Sequence, residues 1–127
     1  MADKNIDILI VDDQATMRKI VRGLLEQIGF KNIDEADDGA TAMHKLQAKA
    51  FSLVLCDWNM KTMSGLDLLR QVRAVASFKA LPFVLVTSEN SAEYVMAAKE
   101  AGVSNYIVKP FSADTLKSKL STVLGPL

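Results

Sequence analysis

Short apolar runs alternate along this chain with longer segments in which apolar residues recur every three or four positions. Residues 7–11 form such a run, Ile8-Leu9-Ile10-Val11 within it, too short for a helix. In residues 15–28, Met17, Ile20, Val21, Leu24, Leu25 and Ile28 follow the spacing of one helical face. Gly29 is placed to end that helix in a left-handed conformation. Residues 32–36 predict a second, more polar strand, and 39–48, with Ala42, Met43 and Leu46, a short helix. Residues 52–56 predict the third strand, and Leu68, Leu69, Val72 and Val75 mark the third helix. Residues 82–87 predict the fourth strand, where Pro82 is tolerable only at the start. Ser91 is positioned to cap a fourth helix that Gly102 closes. Residues 104–108 predict the fifth strand, and Ser112 the start of a last helix carrying Leu116, Leu120 and Val123.

Five β/α repeats predict an α/β fold with a mostly parallel sheet. The strands around positions 9, 54 and 85 are continuously apolar, as strands covered on both faces should be. Those around 34 and 106 mix in polar groups and are the better edges. Three central and two edge strands fit a five-stranded, flavodoxin-like doubly wound (βα)5 sheet of order 2-1-3-4-5.

Composition narrows the function classes. A chain of 127 residues, half of them hydrophobic, suits one domain with one core. Fifteen basic residues balance fifteen acidic ones, so no chain-wide attraction to nucleic acid or membrane is expected. The single cysteine, Cys56, lies in an apolar run and reads as a small buried hydrophobe in a reducing compartment. The polar N-terminus lacks a signal-peptide core and no apolar run reaches about 18 residues, so a cytoplasmic protein is expected. His44, the only histidine, falls in the second helix and reads as a surface residue.

The chemistry is concentrated where strands end. Asp12 and Asp13 follow the first strand, Asp57 the third, Thr87 and Ser88 close the fourth, and Lys109 follows the fifth. In a parallel sheet these ends share one edge, the usual ligand edge of open α/β sheets. Three carboxylates within about 4 Å would repel by several kcal/mol per pair, so such a cluster calls for a hard cation such as Mg²⁺. Asp13 and Asp57 are candidate direct ligands, Asp12 acts through a bound water, and the Asn59 carbonyl completes the protein's share. With metal present, Asp57 becomes a candidate nucleophile toward a phosphoryl group. Lys109 would pair with one phosphoryl oxygen and the Thr87 hydroxyl with another. Each feature alone has a plain structural reading, as a turn, a strand residue or a strand terminator; their joint occurrence carries the argument.

The segments Val11-Asp12-Asp13, Thr16-Met17-Arg18, Cys56-Asp57-Trp58-Asn59-Met60, Leu85-Val86-Thr87 and Val108-Lys109-Pro110-Phe111 resemble response-regulator receiver domains. The likeness spans the whole chain and is strongest to the stand-alone chemotaxis regulators. It implies one receiver domain over residues 1–127 with no effector domain. It implies a histidine kinase as phosphodonor to Asp57 with Mg²⁺, and Thr87 and Lys109 contacting the phosphoryl group. It implies Tyr106 as a switch residue that changes rotamer, although on its own Tyr106 reads as a core tyrosine. The face of the fourth helix, fifth strand and last helix would then bind a target, in chemotaxis the flagellar motor switch. Asn59 and Glu89 match positions that tune phosphoryl hydrolysis, and a short-lived phosphorylated state is expected. A cis peptide before Pro110 is implied as well.

A monomer is expected that, from its charge balance, binds neither nucleic acid nor membrane, and that is no enzyme beyond accepting and hydrolysing its own phosphoryl group. Lys61 departs from the family, which usually has proline there, and Ser64 stands where aspartate is common. Other readings stay open. A phosphate sink or a regulator of a non-motor partner keeps the family but changes the listener. A Mg²⁺-dependent phosphatase would need a cap insertion that the chain does not carry. A flavin-binding module would have to place phosphate against Asp12 and Asp13, which repel it.

Overall fold

The computed structural model describes residues 3–127. Five strands, β1 (Asp7–Val11), β2 (Asn32–Ala36), β3 (Leu53–Asp57), β4 (Phe83–Thr87) and β5 (Asn105–Val108), form one sheet. Its order is β2-β1-β3-β4-β5 and every neighbouring pair is parallel. Helices α1 (Ala15–Ile28), α2 (Gly39–Ala48), α3 (Gly65–Ala74), α4 (Ala92–Glu100) and α5 (Ala113–Leu124) alternate with the strands. The doubly wound α/β architecture expected from the hydrophobic pattern is the one observed, with β2 and β5 at the edges.

Strand alternation divides the core in two. Ile8, Ile10, Leu53, Leu55, Val84 and Ile107 pack toward Val21 and Leu25 of α1 and Leu116 and Leu120 of α5. Leu9, Val11, Val54, Cys56, Phe83 and Leu85 pack the other way, toward α2, α3 and Ala98 of α4. The three central strands are thus covered on both faces, which explains their unbroken apolar runs.

Three of the five α-helices carry a side-chain N-cap bond, and α1 and α4 do not. Asp38, Ser64 and Ser112 each accept a backbone N–H from three residues on, from Thr41, Asp67 and Thr115. Gly29 ends α1 at φ 118°, donating its N–H to Leu25 and Glu26 carbonyls. Ser91 occupies the N-cap position of α4, but its side chain makes no capping bond. A 3-10 turn over Ala76–Phe78 has no counterpart in the sequence reading. The apolar stripe of α1 is wider than its contact with the sheet: Val21 and Leu25 are buried, whereas Ile20 is 50% exposed.

Candidate functional site

The ends of β1, β3, β4 and β5 meet at one edge of the sheet, and continued main-chain pairing holds the residues just beyond them. The Asp12 N–H donates to the Ala36 carbonyl at 3.1 Å, the Trp58 N–H to Val86 at 2.8 Å, and the Lys109 N–H to Thr87 at 2.8 Å. Asp57 is itself the last residue of β3, one position later than the hydrophobic run suggests, because it pairs in register with Val86.

Asp12, Asp13 and Asp57 each offer a carboxylate oxygen, and these atoms all lie within 4.8 Å of one another. Asp12 and Asp57 are buried, at 4% and 6% exposure, and Asp13 is half-buried. At that spacing two ionised carboxylates repel by roughly 3–4 kcal/mol at a protein-like effective dielectric. Burial raises the Asp12 carboxyl above its ordinary pKa. The Gln14 N–H pulls it down, the charge of Asp57 pushes it further up, and Lys109 opposes that push. The Gln14 N–H reaches Asp12 Oδ1 at 2.9 Å.

Lys109 Nζ stands 2.8 Å from Asp57 Oδ1. The pair is an ion pair, and among the described residues this buried oxygen has no other partner. The ammonium compensates one buried carboxylate, which leaves the charges of Asp12 and Asp13 to be offset. An all-oxygen set of three carboxylates within 4.8 Å fits a hard divalent cation, which prefers oxygen donors. The donor set is wrong for a soft metal, because Cys56, the one thiol nearby, points its Sγ to the Asp57 carbonyl at 3.3 Å and burial pushes its pKa well up.

Thr87 is buried, and its Oγ1 accepts the Glu89 N–H at 3.0 Å. With that oxygen already accepting, the hydroxyl proton is left to donate. Alternation gives these residues opposite sides. Asp12 and Asp57 continue the parity of Ile8 and Ile10 and of Leu53 and Leu55, the α1–α5 side, whereas Thr87 continues that of Phe83 and Leu85, the α2–α3–α4 side. Lys109 lines a pocket together with Met17 and Ile20 of α1. Tyr106 shares with Thr87, Glu89, Trp58 and Tyr94 a crevice too small for a water molecule. The Lys119 ammonium lies 5.0 Å from the Tyr106 ring centroid, within cation–π range. Asn59 and Glu89 are exposed in the loops after β3 and β4. The Lys109-Pro110 peptide is cis.

Two contributors escape side-chain patterns. The Gly65 N–H donates to the Trp58 carbonyl at 2.8 Å, and a Cβ at Gly65 would collide with the Asp57 carbonyl oxygen. Only glycine lets the β3–α3 loop close there. Arg18 donates to the Asp12 carbonyl at 2.8 Å and to Glu35 at 2.9 Å, fixing α1 to the end of β1. A glycine eight residues after an aspartate, or an arginine in an amphipathic helix, gives no local sign of either role.

Residues 8–121 match the response regulator receiver domain family. The chain is 50% identical over 125 residues to the chemotaxis protein CheY-3 of Vibrio cholerae, covering 98% of this chain and 96% of that protein. It is 48% identical over 116 residues to the chemotaxis protein CheY of Pseudomonas aeruginosa, covering 91% and 94%. The crystal structure of Vibrio cholerae CheY4 superposes with a TM-score of 0.88 at 32% identity, covering 94% of this chain and 99% of that one. The chain therefore belongs to the response regulator receiver domains and is closely related to the CheY chemotaxis regulators.

Proposed function

We propose that this protein is a two-component response regulator of chemotaxis that accepts a phosphoryl group on Asp57 from a histidine kinase and thereby switches a protein-binding face. The observation that carries this reading is the buried Asp57 carboxylate, gathered with Asp12 and Asp13 and faced by Lys109 at 2.8 Å. Receiver domains are signalling proteins rather than enzymes acting on a separate substrate. The acid cluster, absent a cap insertion, supports neither a phosphatase nor a flavin module.

Asp12, Asp13, Asp57 and the Asn59 carbonyl would hold Mg²⁺, Asp12 through water. Bound there, the ion supplies charge neutralisation that lets a carboxylate approach a phosphoryl group. An Asp57 oxygen attacks phosphorus, the P–N bond of the phosphohistidine breaks, and its electron pair stays on the imidazole nitrogen. The Lys109 ammonium, already at Asp57 Oδ1, transfers its charge contact to a phosphoryl oxygen. The Thr87 hydroxyl donates its free proton to another. That movement vacates space beside Tyr106, and the ring takes the inner position. Phosphorylation then favours whichever state binds the target better, the only way a modification can shift such an equilibrium. Water, admitted beside Asn59 and Glu89, cleaves the acyl phosphate and restores the carboxylate. The target docks on the α4–β5–α5 face, and the chemotaxis relationship favours the flagellar motor switch.

Asp57→Asn and wild type, incubated with a small acyl-phosphate donor and Mg²⁺, test the acceptor directly. Stoichiometric labelling of wild type alone is expected, and stable labelling of the variant removes Asp57 as the site. A pull-down with phosphorylated and unphosphorylated protein then identifies the listener. Phosphate-dependent capture of motor-switch protein supports the motor reading, and its absence favours a phosphate sink.

A further inference from the structure

Each of the three clustered carboxylates is held through one of its two oxygens. The Gln14 N–H takes Asp12 Oδ1, Lys109 Nζ faces Asp57 Oδ1, and the Lys61 main-chain N–H donates to Asp13 Oδ2 at 3.2 Å. Among the described residues these three carboxylates have no other hydrogen-bond or ion-pair partner. The third donor differs from the first in reach, because it joins the loop after β3 to the loop after β1 across 48 residues. Asp13 also differs from its neighbours, being the only one of the three that is not buried. Repulsion from two buried carboxylates drives the most exposed member toward water. The Lys61 N–H opposes that escape.

We infer that the main-chain N–H of Lys61 is a positioning group that keeps the Asp13 carboxylate turned toward the cation site before any metal arrives. The inference rests on the reading that the three aspartates hold Mg²⁺. The donor exists only because residue 61 is not proline, which carries no amide hydrogen. The Lys61 side chain is exposed and plays no part in the contact. Holding Asp13 in place beforehand removes the cost of ordering it at the moment of binding, which is how preorganisation raises affinity.

Lys61→Pro removes the donor, and Lys61→Ala keeps it while removing the ammonium. Metal-free protein is titrated with magnesium chloride at constant ionic strength, followed by the emission of Trp58, the only tryptophan. The expected result is that Lys61→Pro binds Mg²⁺ roughly three- to tenfold more weakly than Lys61→Ala, the worth of one partly exposed charged hydrogen bond. Equal affinities of the two variants overturn the inference. In an Asp13→Ala background the proline should cause no further loss. An equal further loss shows that proline acts through loop shape, which also overturns it. Amide exchange in the metal-free protein needs no proline variant. The Lys61 amide should be protected in wild type and lose that protection in Asp13→Ala, and an unprotected amide in wild type sinks the proposal. A wild type that does not respond to Mg²⁺ removes the metal reading too, whereas one that responds while Pro and Ala variants agree removes only the role of Lys61.

Discussion

The rings of Trp58 and Tyr94 lie with their centroids 4.8 Å apart at 40°. One residue follows the candidate phosphoacceptor and the other sits in the first turn of α4, so an aromatic contact ties the site to a helix of the proposed docking face. Aromatic pairs of this kind contribute about 0.5–1.5 kcal/mol beyond their buried area. Tyr94→Ala should therefore lower stability by roughly 1–2 kcal/mol in chemical denaturation and change the emission of Trp58. Unchanged emission would show that the rings are apart in solution.

Gly65→Ala should be far more damaging than its single methyl suggests. The added Cβ meets the Asp57 carbonyl and comes within 3.0 Å of Leu85 Cδ2, so main chain has to move beside the proposed nucleophile. A loss of about 1–3 kcal/mol is expected, together with slower labelling by an acyl phosphate. Stability equal to wild type would mean that the loop relaxes freely.

Asp13→Ala should weaken Mg²⁺ binding and raise the stability of the metal-free protein, since one of three mutually repelling charges is gone. Denaturation in chelator and in Mg²⁺ checks both halves. A less stable metal-free variant would show that the Lys61 contact outweighs the repulsion.

Glu35 gives the acid limb of stability a specific contributor. Burial pushes its carboxyl up, but bonds from Arg22 at 2.8 Å and Arg18 at 2.9 Å outweigh that and hold its pKa below the ordinary value of 4.5. The native state thus binds fewer protons than the unfolded chain in this range. The contribution is present above pH 4.5 and is lost as pH falls through the lowered native value. Glu35→Gln should be less stable than wild type at neutral pH, and the difference should shrink below pH 4.5. A gap that stays constant through that range would assign the effect to packing.

Local signals were enough where an element carries its own ends. The bounds of α1, β2 and α2 match the hydrophobic pattern, helped by Gly29. They failed by one residue where a neighbour decides, as at β3, which runs on to Asp57 because Val86 pairs with it. Ile20 follows the helical stripe yet stays exposed, since periodicity reports a face but not how far the partner surface extends. Among site residues, the charged side chains at strand ends were legible because a parallel sheet makes their convergence unavoidable. The contributions of Gly65 and of the Lys61 N–H were not, because both are made by main chain across a loop, where residue type barely constrains the outcome. Ser91 shows the converse: a good capping residue in the capping position, with its side chain uncommitted.

The opposite parity of Asp57 and Thr87 along their strands has an evolutionary consequence. The charged cluster belongs to the α1–α5 side of the sheet, and the residues that would report its state begin on the side of α4. Substitutions that retune partner preference can accumulate around Tyr94, Met96 and Tyr106 without altering the charge arrangement proposed to accept the phosphoryl group. Substitutions in the loop around Lys61 can reset metal affinity without disturbing the listener. A gene duplicated from such a protein can therefore diverge in what it speaks to, or in how it is charged, one at a time.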